Sequence, residues 1–577
     1  MGGFLYYNKH QNPPDAARLG HSLQALEKKQ LSDGRSLALK EIIETEHFTI
    51  HLYNKIGVRS ENLLRFPDGD FIIFTGTLIY NKQTGLSALK ELYEDFIPDK
   101  FKFDALRGHF SVLIYKNKTL YIWNDYFGVY HVFTTKNHGI ISSSFLSVVR
   151  LLEKKQLHLQ AMYEYAREGA SYGDDTYIEK VKLLNAFKIH QLDHRHLEIN
   201  KTSTLPVITS ANFKTRVTKT VEQLLDYFDA IKQSFGSEVC SALSGGYDSR
   251  LILALLTECD FEPYLYVYGV ERSPDVQIAK SIAAGEGLTI HHDNRIIGKP
   301  SLENFHKLLQ LEYFYCDGHG PNGAFTNGAE QAARTIRTAA AGLQLNGGGG
   351  EIFRNFWKLP DKSIRIGQFL KSRFDSLPSN YFKDNFNSDQ YLQNMSNKIQ
   401  FMLEIDRSLL TREELEKLYV YMRIKYWMGY NTSIQNVRSY ALIPFAEPIF
   451  AISSFIIPIK QKECGIFEAA LINQINPKLA SYNSVYGHNF SDKLTARTRI
   501  KNSMAVNLPI AIQRSLRQYR YRLLRSQLPF YLHQDYTDSV VPKDGLYMQE
   551  YFNFENIRDP LMLSRLHTIN LVLSDPF

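Results

Sequence analysis

The chain has 577 residues, of which 44% are apolar, 13% aromatic and 22% charged. That is ordinary globular usage and excludes a disordered or fibrous protein. Lysine and arginine exceed aspartate and glutamate by 67 to 60, a mild surplus that is not the bias of a nucleic-acid coat, so no nucleic-acid partner is expected.

At about 150 residues per domain the length suggests three to four domains. Each is large enough to bury a core without disulfides or metals. Cys240, Cys259, Cys316 and Cys464 have no CxxC spacing, which argues against a disulfide scaffold and a zinc ribbon and for a reducing compartment. MGGFLYYNKH has no basic stretch followed by an apolar one, and Tyr6 breaks the myristoylation pattern. The longest apolar runs, such as Pro448 to Ile459, are too short to span a bilayer. A soluble, cytoplasmic protein is the expectation.

Along the first 150 residues, FIIFTGTLIY, HFSVLIY and TLYIWND read as strands, and LSALKELYEDF as an amphipathic helix. Short strands mixed with helices predict an α+β layered domain. The signal is mixed from Leu151 to Leu205, and INKTSTLPVITSAN reads as a linker. Then the pattern changes. VTKTVEQLLDYFDAIKQSF, RLILALLTE and PDVQIAKSIAAGEG read as helices, and SEVCSAL, PYLYVYGV and LTIHH as strands. Strands alternating with helices predict a parallel sheet with crossover helices. The last 200 residues are helical by period, with no internal repeat.

Ser244-Gly245-Gly246-Tyr247-Asp248-Ser249 falls between a predicted strand and a predicted helix. A glycine turn there presents backbone N–H groups and a helix N-terminus to an anion. Asp248 beside phosphate makes sense if it holds Mg²⁺; otherwise the string is an ordinary turn. The chain contains no Walker loop. A second run, Leu345-Asn346-Gly347-Gly348-Gly349-Gly350-Glu351, suggests close approach to the backbone, or else a flexible surface loop. Glu351 is a candidate second Mg²⁺ ligand or general base.

SALSGGYDSRLILALL resembles the pyrophosphate-binding loop of the asparagine synthetase family (class B, the glutamine-hydrolysing type), usually written SGGLDSS. YGVERSPDVQIAKSIAAGEGLTIHH is similar to that family's next strand and helix, and LNGGGGEIF to its SGEGSDE loop, with Glu351 kept and Gly350 in place of the preceding Asp. SIQNVRSYALIPFAEPIF resembles its EVRVPFLD segment. Upstream, LRGHFSVLIY, WNDYFGVYHVF and ISSSFLSVV follow the order of its glutaminase domain. The resemblance covers roughly residues 1–500. It implies an α+β N-terminal sandwich of the Ntn-hydrolase type over 1–205. Over 215–577 it implies an α/β PP-loop ATP pyrophosphatase domain, Rossmann-like with a parallel sheet and a helical C-terminal part. It further implies ATP and Mg²⁺ as cofactors, with Ser244, Gly245, Gly246, Asp248 and Ser249 around pyrophosphate and Gly347 and Gly348 as further cofactor-binding residues. Val267, Tyr268, Gly269 and Asp275 would lie near adenine, and Asp248 and Glu351 would hold the metal. For partners beyond the substrates, a homodimer is the expectation.

Two departures matter. The family's nucleophilic cysteine follows the initiator Met, where this chain has Gly2 and Gly3, and its NGE clamp is Thr75-Gly76-Thr77. No glutaminase activity is therefore expected. The family's lysine near the second active site falls on Gly487 in SYNSVYGHNFSDK, with Tyr486 and His488 beside it as catalytic candidates and Lys478 and Lys493 as substitutes. His488 suits acid–base work near neutral pH, and equally suits a surface position.

The resemblance to members without the N-terminal cysteine, such as β-lactam synthetases and lasso-peptide cyclases, implies an AMP-forming amide ligase. Such a ligase adenylates a small-molecule or peptide carboxylate and joins it to an amine. The alternatives are an ammonia-dependent asparagine synthetase and a nucleotide-binding pseudo-enzyme or scaffold. Lys493 to Arg525 carries nine basic residues and no acidic one. It reads either as a basic face for an acidic partner or, preferably, as a solvated helix with its Leu and Tyr side turned inward. Cys316-Asp317-Gly318-His319 lacks the second pair a zinc site needs and reads as a loop or pocket wall.

Overall fold

The computed structural model describes residues 2–577 except 12, 60, 193–196, 203, 206, 210–211, 296–297, 376, 524–527 and 542–544, and describes 520–523 by their backbone alone. The first unit is built from two six-stranded antiparallel sheets. One runs, in spatial order, Val181–Leu183, Phe133–Thr135, Ile140–Ser142, Gly3–Asn8, Phe48–Tyr53 and Leu39–Glu44. The other runs Glu198–Asn200, Lys188–Gln191, Thr119–Asn124, Leu106–Lys116, Phe71–Tyr80 and Leu63–Arg65.

Side chains alternate across each strand, so one face of each sheet can enter a common core. Phe4, Tyr6, Ile50 and Leu52 from the first sheet meet Phe71, Ile73, Leu113 and Ile122 from the second. The alternate residues Ile72, Phe74, Val112 and Ile114 pack on the opposite face under Ala88, Leu89 and Leu92 of the helix Gly85–Asp95. This double burial explains why Phe71–Tyr80 is apolar at nearly every position.

The second unit opens with α1 (Phe213–Phe235), whose N-terminus is capped by the Asn212 side chain on Lys214 N and Thr215 N. Next come β1 (Glu238–Ala242), α2 (Tyr247–Glu258), β2 (Glu262–Tyr268), α3 (Pro274–Gly285) and β3 (Ile290–Asp293). β4 (Leu343–Leu345) and β5 (Tyr440–Leu442) complete a sheet of order β3-β2-β1-β4-β5. Every neighbouring pair is parallel. α2 is apolar all round, with Leu251 to Leu256 buried, as a helix wedged between sheet and helices must be. The rest is mainly helical, including α4 (Ile466–Ile475). Among the described residues no helix is long and apolar enough to cross a membrane.

Residues 433–447 form a polar seam between the units. Thr77 donates to Asn436 Oδ1 at 2.7 Å and accepts from Ala441 N at 2.9 Å. Glu447, fully buried, accepts from Gly108 N at 2.7 Å and from the Tyr227 hydroxyl at 2.9 Å. Asp317 also ties the units, accepting from Ser144 Oγ and Phe145 N at 2.6 Å each and pairing with Lys29 at 3.1 Å. His319 is buried against Tyr165 and Tyr177. The Cys316–His319 stretch is therefore a buried brace between the units and not a pocket wall.

Two expectations change. The supposed linker begins inside the first unit, because Glu198–Asn200 pairs with Lys188–Gln191 and places Ile199 opposite Ile189. In the basic segment, Arg497, Arg499 and Lys501 of the helix Ala496–Asn507 are exposed, but the described side chains of the helix Ile510–Leu523 turn the other way from the reading above. Arg514 reaches Asp375 at 2.7 Å and Arg517 donates to Ser372 O, while Leu516 and Tyr519 are exposed. Here the arginines find acceptors on the neighbouring helix Ile366–Arg373 and its end, and that outweighs burial of the apolar side. Arg520, Arg522 and Arg525 lie outside the described side chains.

Candidate functional site

β1 lies between β2, which follows it in sequence, and β4, which follows much later, so the strand order reverses between β1 and β4. At such a switch point the loops leaving the carboxyl ends part and leave a crevice. Both glycine runs are there. The first, Leu243–Gly246, joins β1 to α2, and the second, Asn346–Gly350, follows β4. They pack closely: a Cβ on Gly347 would sit 3.2 Å from Asp248 C and Ser249 N. The N-terminus of α2 begins at Gly246, with no side chain capping it. The loop amides are not all turned outward. Ser244 N donates to Ser249 Oγ at 2.9 Å, Gly245 N to Asp275 Oδ1 at 3.0 Å, and Gly246 N to Ser244 Oγ at 3.2 Å. An anion arriving there would take over donors now held by three side-chain oxygens.

Asp248 is where the structure departs most from expectation. Arg354 Nη2 lies 2.6 and 2.7 Å from its two carboxylate oxygens. The same guanidinium pairs through Nε with Glu468 Oε2 at 2.9 Å and lies 3.7 Å from Glu351 Oε1. Nη1 donates to the Tyr486 hydroxyl at 3.2 Å. Asp248 is thus satisfied by an arginine 106 residues downstream, a cation that nothing in the hexapeptide announces. Glu468, on α4, is completely buried and forms the floor; Asp248 and Glu351 are partly exposed and form the mouth. Glu351 accepts from Tyr419 OH at 2.7 Å and from Gly349 N at 3.1 Å. Tyr419 opens a ten-residue π-helical stretch, Tyr419–Met428, a rare geometry that clusters at functional sites.

Three carboxyls face one arginine. Burial, and then Glu351, push Asp248 up to about 6, and burial, and then Asp248, push Glu468 well above the usual range, both against the pull of Arg354. Burial alone would lower the Arg354 pKa, but Asp248, Glu468 and Glu351 together hold it well above its ordinary value. The Asp248–Glu468 pair therefore holds its protons to higher pH than free carboxylic acids do.

A linkage prediction follows. The folded pKa values are raised, so the pair's favourable contribution is complete below the unfolded values near 4 and is lost as pH rises through about 6 and beyond. Glu447 and Glu312, both buried and raised to about 7, act in the same direction. In thermal melts between pH 4 and 8, Glu468→Gln should lose less stability with pH than the native chain and cross above it near neutrality. Parallel profiles would show that Glu468 is ionised throughout.

The remaining candidates divide. Asp275, in the first turn of α3, binds the glycine loop through Gly245 N. Val267 is buried at the end of β2, Tyr268 is exposed beneath Arg295, and Gly269 accepts from His292. Gly348 N donates to Asn346 Oδ1 at 2.9 Å. Tyr486 reaches the cluster through Arg354. His488 does so only through Tyr247, whose hydroxyl lies 3.0 Å from its Nε2. Gly487 has φ +79° and open space beside it. Lys478 is committed to Gly285 O at 3.0 Å and Glu286 at 3.2 Å, so it does not replace the missing lysine. Lys493 is exposed. Arg354, Glu468 and Tyr419 went unmarked in the sequence, and Tyr247 stood there only as one member of the glycine-loop string. Arg354 stands three residues after Glu351 and Glu468 interrupts the apolar run IFEAALI, the two signals that were there to read.

In the first unit, a Cβ on Gly2 would lie 2.6 Å from both Asn54 O and Leu37 Cδ2. No side chain, nucleophilic or otherwise, fits there without movement. Thr77 is spent on the seam described above.

No family model matches the chain, and no curated protein matches it. Among solved structures it is similar to an allosteric regulatory enzyme of purine biosynthesis, at 11% identity over 53% of this chain and 69% of that one, with a TM-score of 0.22. It is also similar to a glutamine phosphoribosylpyrophosphate amidotransferase from B. subtilis complexed with ADP and GMP, at 9% identity over 53% and 70%, with a TM-score of 0.22. At these scores the likenesses carry no argument about fold or chemistry.

Proposed function

We propose that the chain is an ATP-dependent, AMP-forming amide ligase. A substrate carboxylate oxygen attacks the α-phosphorus of ATP and pyrophosphate leaves. An amine nitrogen then attacks the acyl carbon, forming the amide as AMP and a proton depart. The observation that carries this reading is the meeting of two glycine loops and an uncapped helix N-terminus at the switch point, around Asp248, Glu351 and Arg354. Phosphoryl chemistry of this kind needs positioning and charge neutralisation more than covalent help from the protein.

The donors fit Mg²⁺, which prefers hard carboxylate oxygens: Asp248 and Glu351 would hold it, and when bound it would neutralise phosphate charge. Asp248 becomes available only when Arg354 leaves its two oxygens. Arg354, once freed, is itself a suitable partner for a phosphate oxygen. The first unit, with Gly2 enclosed, supplies no thiol, so the amine comes from the substrate or from solution.

Substrate-stimulated exchange of labelled pyrophosphate into ATP tests this. Exchange with a panel of small-molecule and peptide acids is expected, reduced at least tenfold in Asp248→Asn, with ATP affinity measured alongside. A second reading, a nucleotide-binding scaffold, is favoured by the closure of Asp248 on Arg354 and by Gly487 at the lysine position. Tight ATP binding without exchange on any acid would decide for the scaffold.

A further inference from the structure

A separate cluster lies at the edge of the first unit. His138 sits in the turn between Phe133–Thr135 and Ile140–Ser142 of one sheet. His190 and Glu198 face each other across an antiparallel pair of the other. The ligating atoms of the three lie within 4.8 Å of one another, the one such His, Cys and carboxylate group among the described residues. His190 Nδ1 is 3.6 Å from Glu198 Oε1, and His138 Nε2 is 3.9 Å from the same atom. Ligand atoms 2.0–2.1 Å from a tetrahedral ion stand about 3.3–3.5 Å apart, so a small contraction of these two contacts would bring them to the spacing of such a shell.

The tautomers point the same way. His190 is 1% exposed, and its Nε2–H has the Asn185 carbonyl as acceptor at 3.1 Å. That leaves Nδ1 as a bare lone pair, buried and without a hydrogen-bond partner, aimed at a carboxylate oxygen. A lone pair facing a carboxylate is repulsive unless a cation stands between them. At His138, Nδ1 lies 3.1 Å from Thr134 Oγ1, whose own proton has the carbonyls of Thr135 at 3.0 Å and Ile140 at 3.1 Å to go to. His138 Nδ1–H then donates to Thr134 and its Nε2 lone pair turns to Glu198. Each imidazole thus gives its far N–H to a supporting acceptor, the arrangement that orients histidine on a metal. A surface cleft lined by Gln11, Lys136, Asn137, His138 and Glu198 gives an ion and its water ligands access.

We infer that His138, His190 and Glu198 form a divalent transition-metal site of the zinc class, supplying its three ligands from among the described residues. Two imidazoles and one carboxylate suit Zn²⁺ and Co²⁺ and disfavour Mg²⁺ and Ca²⁺. The site joins the two sheets at their edge and is independent of the switch-point cluster.

The test uses the full-length chain without an affinity tag, stripped by chelator and titrated with Co²⁺ and then Zn²⁺. One Co²⁺ per chain is expected, with ligand-field absorption of a four- or five-coordinate N/O site, displaced by one equivalent of Zn²⁺. His138→Gln and Glu198→Gln, both at accessible positions, should each weaken Zn²⁺ binding at least tenfold. Asp248→Asn should leave the titration unchanged. His190→Gln risks the buried strand and is judged only beside its melting curve. Absence of Co²⁺ and Zn²⁺ binding in the native chain would overturn the assignment, as would binding that persists in the His138→Gln/Glu198→Gln double variant.

Discussion

Arg354→Met should lower the thermal midpoint at neutral pH and make it depend on Mg²⁺. The guanidinium is the cation shared by Asp248, Glu468 and Glu351. Methionine keeps much of the length and none of the charge. Removing one partner of a buried ion pair costs roughly 3–5 kcal/mol, and the partial exposure of Arg354 and Asp248 places this case at the lower end. The carboxyls left behind relieve part of that by taking up protons, so the loss should shrink at pH 5. If the three carboxyls can serve a hard cation, Mg²⁺ will occupy the place Arg354 vacated. An ion at a hundred times its dissociation constant contributes about 2.7 kcal/mol. The native chain, its Asp248 oxygens already taken, should respond less in the absence of ATP. Asp248→Asn/Arg354→Met should lose the response. An Arg354→Met variant whose melting ignores Mg²⁺ would remove the metal from the proposed chemistry.

The legible parts of the chain are those whose structure follows from local pattern. Phe71–Tyr80 and Leu106–Lys116 declare themselves by β-branched and aromatic residues, and β1, β2 and β3 by their alternation with helices. The two glycine runs stand out because glycine has few other reasons to recur beside a strand end. What stayed hidden depends on partners distant in sequence. Glu198–Asn200 looks like the start of a linker until its partner Lys188–Gln191 is known. The side of the helix that Arg514 occupies follows from its ion pair with Asp375, 139 residues away. Asp248 signals a need for a cation, but only the fold shows that Arg354 meets it. His138, His190 and Glu198 share no spacing, because two come from adjacent strands of one sheet and the third from the other.

Gly350→Ala should abolish whatever the switch-point cluster does while leaving the fold largely in place. Gly350 does not have a left-handed backbone; its neighbour Gly349 does, at φ +91°. An alanine at 349 would meet only ordinary contacts, the nearest at 3.4 Å, and would pay about 1–2 kcal/mol for the left-handed conformation. At 350 the added Cβ would lie 2.3 Å from Asp248 Oδ1 and 2.9 Å from Glu468 Oε1. Neither carboxyl can retreat cheaply, since one is held by Arg354 and the other is enclosed at the floor. The expected result is a loss of at least a hundredfold in pyrophosphate exchange for Gly350→Ala. Gly349→Ala should keep its exchange and melt a few degrees lower. The residue that takes the place of an acid in the resembled SGEGSDE loop would then be small because Asp248 and Glu468 converge over it. Equal exchange in the two variants would mean that the carboxyl pair is a structural element, with turnover, if any, resting on the glycine-loop amides alone.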